Sequence, residues 1–168
     1  MCIRDRCKTS MKIKVRREVV KCIMCGRTNE FYYLSDFSYG ERLALFHNGM
    51  RYAYINLFED DVYNDFIDKV KSVLNSHKKE WSEEKMQNII NHIFGVACDR
   101  IQESNIDFLM DHKKCIYCGA EDFEDLLAEP ESIICVDMPI VTHHAWKGLG
   151  EVEKIQLIEK ALRDNKII

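Results

Sequence analysis

The chain has 168 residues, of which 24 are Lys or Arg and 28 are Asp or Glu, a net charge of −4; 46% are apolar and only two are proline. That is enough chain and enough apolar side chain for one folded domain with a core of its own, and it excludes a low-complexity segment. Apolar runs reach at most four or five residues, which excludes a bilayer-spanning helix, and the acidic balance disfavours sequence-independent nucleic-acid binding, where Lys and Arg must neutralise phosphates.

Residues 1–6 resemble the translated end of a sequencing adapter, so residues 1–10 are expected to be an artefact or a disordered N-terminus, with the natural start at Met11 or upstream. Without Arg4, Arg6, Lys8 and Asp5 the chain carries 21 basic and 27 acidic residues, a net charge of −6. From Met11 to Val20 polar and apolar residues alternate around Ile13 and Val15, predicting a half-buried strand. It leads into Lys21-Cys22-Ile23-Met24-Cys25-Gly26. Glu30 to Phe37 is aromatic-rich and strand-like, and Arg42–Phe46 and Arg51–Leu57 flank His47-Asn48-Gly49-Met50. Asn-Gly favours a tight turn between antiparallel strands, in a register that sets Leu45 opposite Tyr52 and Leu43 opposite Tyr54. The expected result is an antiparallel β-meander.

Asp60 or Asp61 caps a predicted helix whose apolar set, Val62, Phe66, Ile67, Val70, Val73 and Leu74, fits a 3.6-residue period and ends near Asn75 to His77. Ser82, followed by Glu83 and Glu84, starts a second, with the stripe Met86, Ile89, Ile90, Ile93, Phe94, Ala97 and Ile101 and with Cys98 on the same side. Gly95 within that stripe implies close approach of a neighbour, because glycine otherwise weakens a helix. Ile106 to Met110 is a short extended lead into Lys114-Cys115-Ile116-Tyr117-Cys118-Gly119. Ser132 to Met138 alternates and stops at Pro139, and a last helix is expected from Glu151 to about Asp164.

The two Cys-x-x-Cys-Gly phrases are near copies, and an acid followed by Phe comes after each, as Glu30-Phe31 and Asp122-Phe123. Two residues between cysteines lets both sulfurs of a turn point at one metal, and the glycine tolerates the positive φ that aims N–H groups at thiolates. The pattern resembles the pseudo-twofold of a zinc ribbon, although 89 residues separate Cys25 from Cys115, far more than in compact ribbons. The resemblance implies one structural Zn2+ held by Cys22, Cys25, Cys115 and Cys118, with residues of about 38–105 inserted between the arms of a single 11–168 domain. The expected class is therefore α+β: an antiparallel meander, two central helices and a C-terminal helix joined by a split four-cysteine ribbon. An alternative divides the ligands into two sites, Cys115 and Cys118 with Cys135 and His143, and Cys22 and Cys25 with Cys2 and Cys7. Thioredoxin-like redox chemistry fits poorly, for no βαβ context surrounds either pair.

Charge is unevenly placed. Lys12, Lys14, Arg16, Arg17, Lys21 and Arg27 against Glu18 make a local +5 over residues 11–27, and Glu121, Asp122, Glu124, Asp125, Glu129 and Glu131 a local −6. The basic strand is expected to offset the thiolate charge and meet that acidic stretch, or else to offer a nucleic-acid face. His143-His144 beside Trp146 is the one other constellation that suggests chemistry, with Asp137 and His112 as further candidates for a second metal. Zinc-containing HNH nucleases also frame their site with Cys-x-x-Cys pairs, but here the paired histidines follow the second turn rather than lying between the turns. Adjacent histidines in a strand face opposite ways, so packing or hydrogen bonding is the expected role for this pair. His47, His77 and His92 read as hairpin and helix-surface positions, and Tyr32, Tyr33, Tyr52 and Tyr54 as core cover or an aromatic binding face.

Four thiolates close a zinc ion's coordination, so no catalytic residue is assigned. The function expected from the sequence is a cytoplasmic, non-catalytic binding or regulatory module, with a protein partner preferred over nucleic acid, acting through the aromatic meander or the basic strand. A metal-dependent hydrolase or HNH-like nuclease using His143 or His144 is the alternative.

Overall fold

The computed structural model describes residues 10–36, 39–47, 49–108, 113–125 and 132–168. The α+β class is as expected: the described residues form antiparallel strands in two sheets, four helices and a four-cysteine cluster. No helix among the described residues is long and apolar enough to cross a membrane. Cys2, Cys7, Phe37, Asn48, Met110, His112, Glu129 and Glu131 lie outside the described residues.

The strands do not run as one meander. Strand β1 (Ser10–Cys22) is central in the larger sheet. It pairs antiparallel with β2 (Thr28–Leu34) along one edge and, along the other, with β6 (Ser132–Pro139) and then β5 (Phe123–Asp125). Strands β3 (Glu41–Phe46) and β4 (Arg51–Asn56) form a separate two-stranded ribbon. Its register is the expected one, Leu45 opposite Tyr52 and Leu43 opposite Tyr54. Both His47 and Gly49 in the connecting turn have positive φ.

Period-2 alternation makes that ribbon the middle layer, for successive side chains point to opposite faces. Leu43, Tyr52 and Tyr54 pack with Ile13, Val15 and Met138 of the larger sheet, whereas Ala44, Phe46, Ala53 and Ile55 pack into the helical core. Tyr52 and Tyr54 are buried, which removes the aromatic meander as a binding face. The Tyr52 hydroxyl accepts the Tyr32 N–H at 3.2 Å, and the Tyr54 hydroxyl donates to Glu41.

Helix α1 (Asp61–Ser76) begins where Asp60 accepts the Tyr63 N–H at 2.8 Å and buries Val62, Phe66, Val70, Val73 and Leu74. Helix α2 (Glu83–Ile93) is capped by Ser82 and tightens into a 3₁₀ turn over Phe94–Ala97, so Cys98 and Ile101 of the expected stripe fall beyond it. Gly95 lies in that turn. A Cβ built there would collide with the carbonyl oxygen of Ile106, the close approach its place in the stripe implied. The two histidines are not in a strand: His143 is the N-cap of a one-turn helix, α3 (His144–Lys147), ahead of α4 (Glu151–Asp164). Phe66 centres an aromatic cluster, edge-to-face with Phe94 at 5.3 Å and with Trp146 at 5.5 Å. The Trp146 indole N–H donates to Asp65, which also receives Lys69 and Lys154 and so ties α1 to α4.

Because the clash at Gly95 is with backbone rather than a movable side chain, Gly95→Ala is expected to cost about 2 kcal/mol despite alanine's better helix propensity. Urea unfolding of the two proteins measures this, and an unchanged or raised midpoint would refute it.

Candidate metal centre

Strand β1 ends on Cys22, and hydrogen bonding with β2 forces the chain to reverse over residues 23–27. In that reversal the Cys22 N–H donates to the Arg27 carbonyl (2.9 Å) and the Gly26 N–H to the Cys22 carbonyl (2.8 Å). The second arm repeats the turn: Cys115 N–H to Ala120 (2.8 Å) and Gly119 N–H to Cys115 (2.8 Å). Gly26 and Gly119 have φ of 71° and 76°, the left-handed conformation expected for both.

The arms are locked to each other by matching contacts. Phe31 and Phe123 meet edge-to-face at 5.5 Å, and the N–H after each first cysteine crosses to the opposite arm, Ile23 to the Asp122 carbonyl (3.1 Å) and Ile116 to Asn29 Oδ1 (3.0 Å). As a result all four sulfurs lie within 4.8 Å of one another, with Cys22–Cys118 at 3.5 Å and Cys25–Cys115 at 3.6 Å. A tetrahedron with metal–sulfur bonds of about 2.3 Å has edges of about 3.8 Å. The tetrad is therefore compatible with a single metal ion.

Polar groups prepare it for negative charge. Burial alone would raise the Cys115 thiol, but N–H groups of Tyr117 and Cys118 and the Asn29 amide outweigh it and bring it down to about 6. The Ala120 N–H lowers Cys118, yet burial and the sulfurs of Cys22, Cys25 and Cys115 push it up to about 12: four thiols so close cannot all ionise without a cation between them. Asn29, fully buried, donates to Cys115 Sγ (3.4 Å) and to the Arg27 carbonyl (3.2 Å). The sequence reading missed it. Its signal was the alignment of the arms, since Asn29 and Asp122 each stand four residues after their second cysteine.

The other expected site residues are dispersed. Cys135 is on β6 opposite Lys14 and is exposed, neither a core residue nor a ligand beside Cys115 and Cys118. Asp137 pairs in register with Lys12 of β1. Among the described residues, no second group of three or more His, Cys, Asp or Glu converges as a metal site would. Of the basic strand, Arg17 approaches Glu30 (3.9 Å); the strand's acid, Glu18, binds Lys113 (2.5 Å), Lys114 approaches Glu121 (3.6 Å), and Lys12, Lys14 and Arg16 are on the exposed outer face.

His143 is held on both ring nitrogens. Nδ1 donates to the Ala97 carbonyl (2.6 Å) and Nε2 to Asp60 Oδ2 (2.9 Å), and since both neighbours are acceptors, both nitrogens carry hydrogen. The buried imidazolium thus joins α3 to the cap of α1 and to the 3₁₀ turn. His144 is exposed and bonded through Nδ1 to Asp99 (2.9 Å), whose carboxylate also accepts from Thr142 and from the N–H groups of His144 and Ala145. Burial raises Asp99, but these donors outweigh it and hold it at about 2. Asp60 and Asp99 are therefore the residues that determine what the histidine pair does, and their distance in sequence hid them. His47 bonds Gln102 and His92 bonds Asn165, each at the surface.

No family model, curated protein or solved structure matches the chain. The assignment of the site rests on its own geometry.

The His143–Asp60 pair has a definite pH signature. Burial would lower His143, yet the Asp60 carboxylate and the Ala97 carbonyl hold it above its ordinary 6.5; burial would raise Asp60, yet His143 and the cap N–H groups hold it below 3.8. The histidine's contribution is complete below about pH 6.5 and is lost as pH rises through its folded value; the aspartate's is complete above about 3.8 and is lost as pH falls through its own. His143→Gln should therefore destabilise by about 3 kcal/mol near pH 5.5, with the gap from the parent narrowing above pH 7. Urea unfolding across pH 5–9 tests this, and a constant gap would contradict a charged pair.

Proposed function

We propose that the tetrad holds one structural zinc ion and that the protein is a non-catalytic binding module for a protein partner. Four sulfurs within 4.8 Å of one another suit zinc, or a single iron, and as four ligands would fill every coordination position, leaving none for a reacting water. The observation that carries the binding reading is the exposure of the knuckle tips. Ile23 is 62% exposed, Met24 73% and Tyr117 49%, although the metal needs only the cysteines on either side of them. Large apolar side chains presented on a rigid turn are suited to insertion into a partner's pocket. Arg27 lies over the Tyr117 ring at 4.8 Å and steadies it. A protein is favoured over nucleic acid because these tips are apolar, whereas the basic outer face of β1 carries Asp137 beside Lys12 and leaves Tyr33 covered by the Arg16 and Lys113 cations, each at 5.2 Å, rather than free for a base.

Elemental analysis of the purified protein is expected to give one zinc per chain, and chelation to lower its melting temperature, since a metal that binds only the folded tetrad stabilises it. Iron in its place, or no metal with an unchanged melting curve, would overturn the zinc assignment.

A photo-crosslinking side chain at Met24 or Tyr117 should capture one protein species in its native cells, whereas the same group at exposed Val152 on α4 should not. Equal capture at all three positions would refute the docking role of the tips. Salt-sensitive retention on nucleic acid, weakened by substituting Lys12, Lys14 and Arg16, would transfer the role to β1.

A further inference from the structure

We propose that the tetrad is also a site of oxidative modification, at which peroxide closes two disulfides across the arms, Cys22–Cys118 and Cys25–Cys115, rather than one within each knuckle. The geometry distinguishes the two outcomes. The cross-arm pairs meet in hydrogen-bonding contact at 3.5 and 3.6 Å, with sulfur directed at sulfur, and a disulfide at about 2.0 Å requires each to close by only about 1.5 Å. Loss of a metal would not let them drift apart. The Ile23–Asp122 and Ile116–Asn29 hydrogen bonds and the Phe31–Phe123 contact hold the arms together independently of any ion.

Each cross-arm pair combines an exposed cysteine with a buried one, Cys118 with Cys22 and Cys25 with Cys115. In each pair one thiolate attacks peroxide, forming an S–O bond as the O–O bond breaks and hydroxide leaves; its partner thiolate then attacks the sulfenic sulfur, forming S–S and expelling a second hydroxide. Each pair loses two electrons to one hydrogen peroxide. Two peroxides oxidise the whole tetrad, and any metal it held is released.

The product spans 96 residues in one bridge and 90 in the other, so it keeps β1 fastened to the segment that carries β5. Within-knuckle disulfides would instead leave no covalent bond between the arms. The proposal needs only the sulfur geometry and goes beyond the zinc reading.

The test is direct on the wild-type chain. After stoichiometric hydrogen peroxide, alkylation and trypsin, cleavage at Lys21, Arg27 and Lys114 places Cys22 and Cys25 on one peptide and Cys115 and Cys118 on another. Mass spectrometry should find the two peptides joined, with fragmentation giving the Cys22–Cys118 and Cys25–Cys115 pairing, and with the preference lost when oxidation is done in urea. Two separate peptides, each with an internal disulfide, would overturn the proposal, as would the opposite cross-arm pairing or sulfinic acid at Cys25 and Cys118 without bridging. Metal content measured on the same sample before oxidation keeps the two readings apart, because a preparation without zinc still reports the pairing.

Discussion

Strand β1 is the element on which both the core and the sulfur site depend. Its first half buries one face, Ile13 and Val15, against the β3–β4 ribbon, and its last half buries the other face, Val20 and Cys22, toward the second arm. A strand alternates faces every residue, so both coverings are met without a change of register, and the last residue of the alternation is itself a candidate ligand. The same strand receives β6 and β5 on one edge, which is what brings residues 113–139 back to the beginning of the chain. Closing a loop of about ninety residues costs only slightly more than closing one of half the length, because the entropy grows with the logarithm of loop size. An insertion as large as β3 through α2 is therefore compatible with a ribbon-like pair of arms, provided the ends are held by strong contacts.

Burial of the β3–β4 ribbon on both faces limits where the protein can bind anything. Its tyrosines, the most attractive recognition surface in the sequence, are used between layers, and each hydroxyl is engaged. The knuckle tips are among the apolar side chains that stay exposed. Their rigidity comes from the hydrogen bonds that shape each turn and from the partner arm, so a docking surface there would lose little conformational entropy on binding.

Features encoded within a few residues were legible in the sequence. The ribbon register, both helix caps and the positive φ of Gly26 and Gly119 each follow from local stereochemistry, and each is present. The convergence of the four sulfurs was legible too, because two copies of one phrase imply a common focus. Features set by tertiary contact were not. Alternation alone could not say that β1 would take β6 rather than β3 as its neighbour, which is why a meander was expected where there are two sheets. The partners of His143 lie 46 and 83 residues away, and nothing near the pair announces them. Cys135 has the alternation of a core strand, but β6 turns it to the outer face with Lys14, and only the sheet pairing reveals that.

The later part of the chain is thus fastened to the earlier part by two chemically different ties. The tetrad joins the second arm to the end of β1, and the His143–Asp60 pair joins the start of α3 to the cap of α1. Neither element held by the second tie is stable alone: α3 is a single turn, and Asp60 caps a helix whose buried face needs Trp146 and α4 to cover it. The ties also answer to different conditions. Thiolate occupancy governs the first, proton occupancy of an imidazole the second, and the ribbon between the layers is packed against elements secured by both. A partner seated on the knuckle tips would consequently sense the state of the sulfurs directly, whereas the charge of His143 would reach it only through the packing of that middle layer.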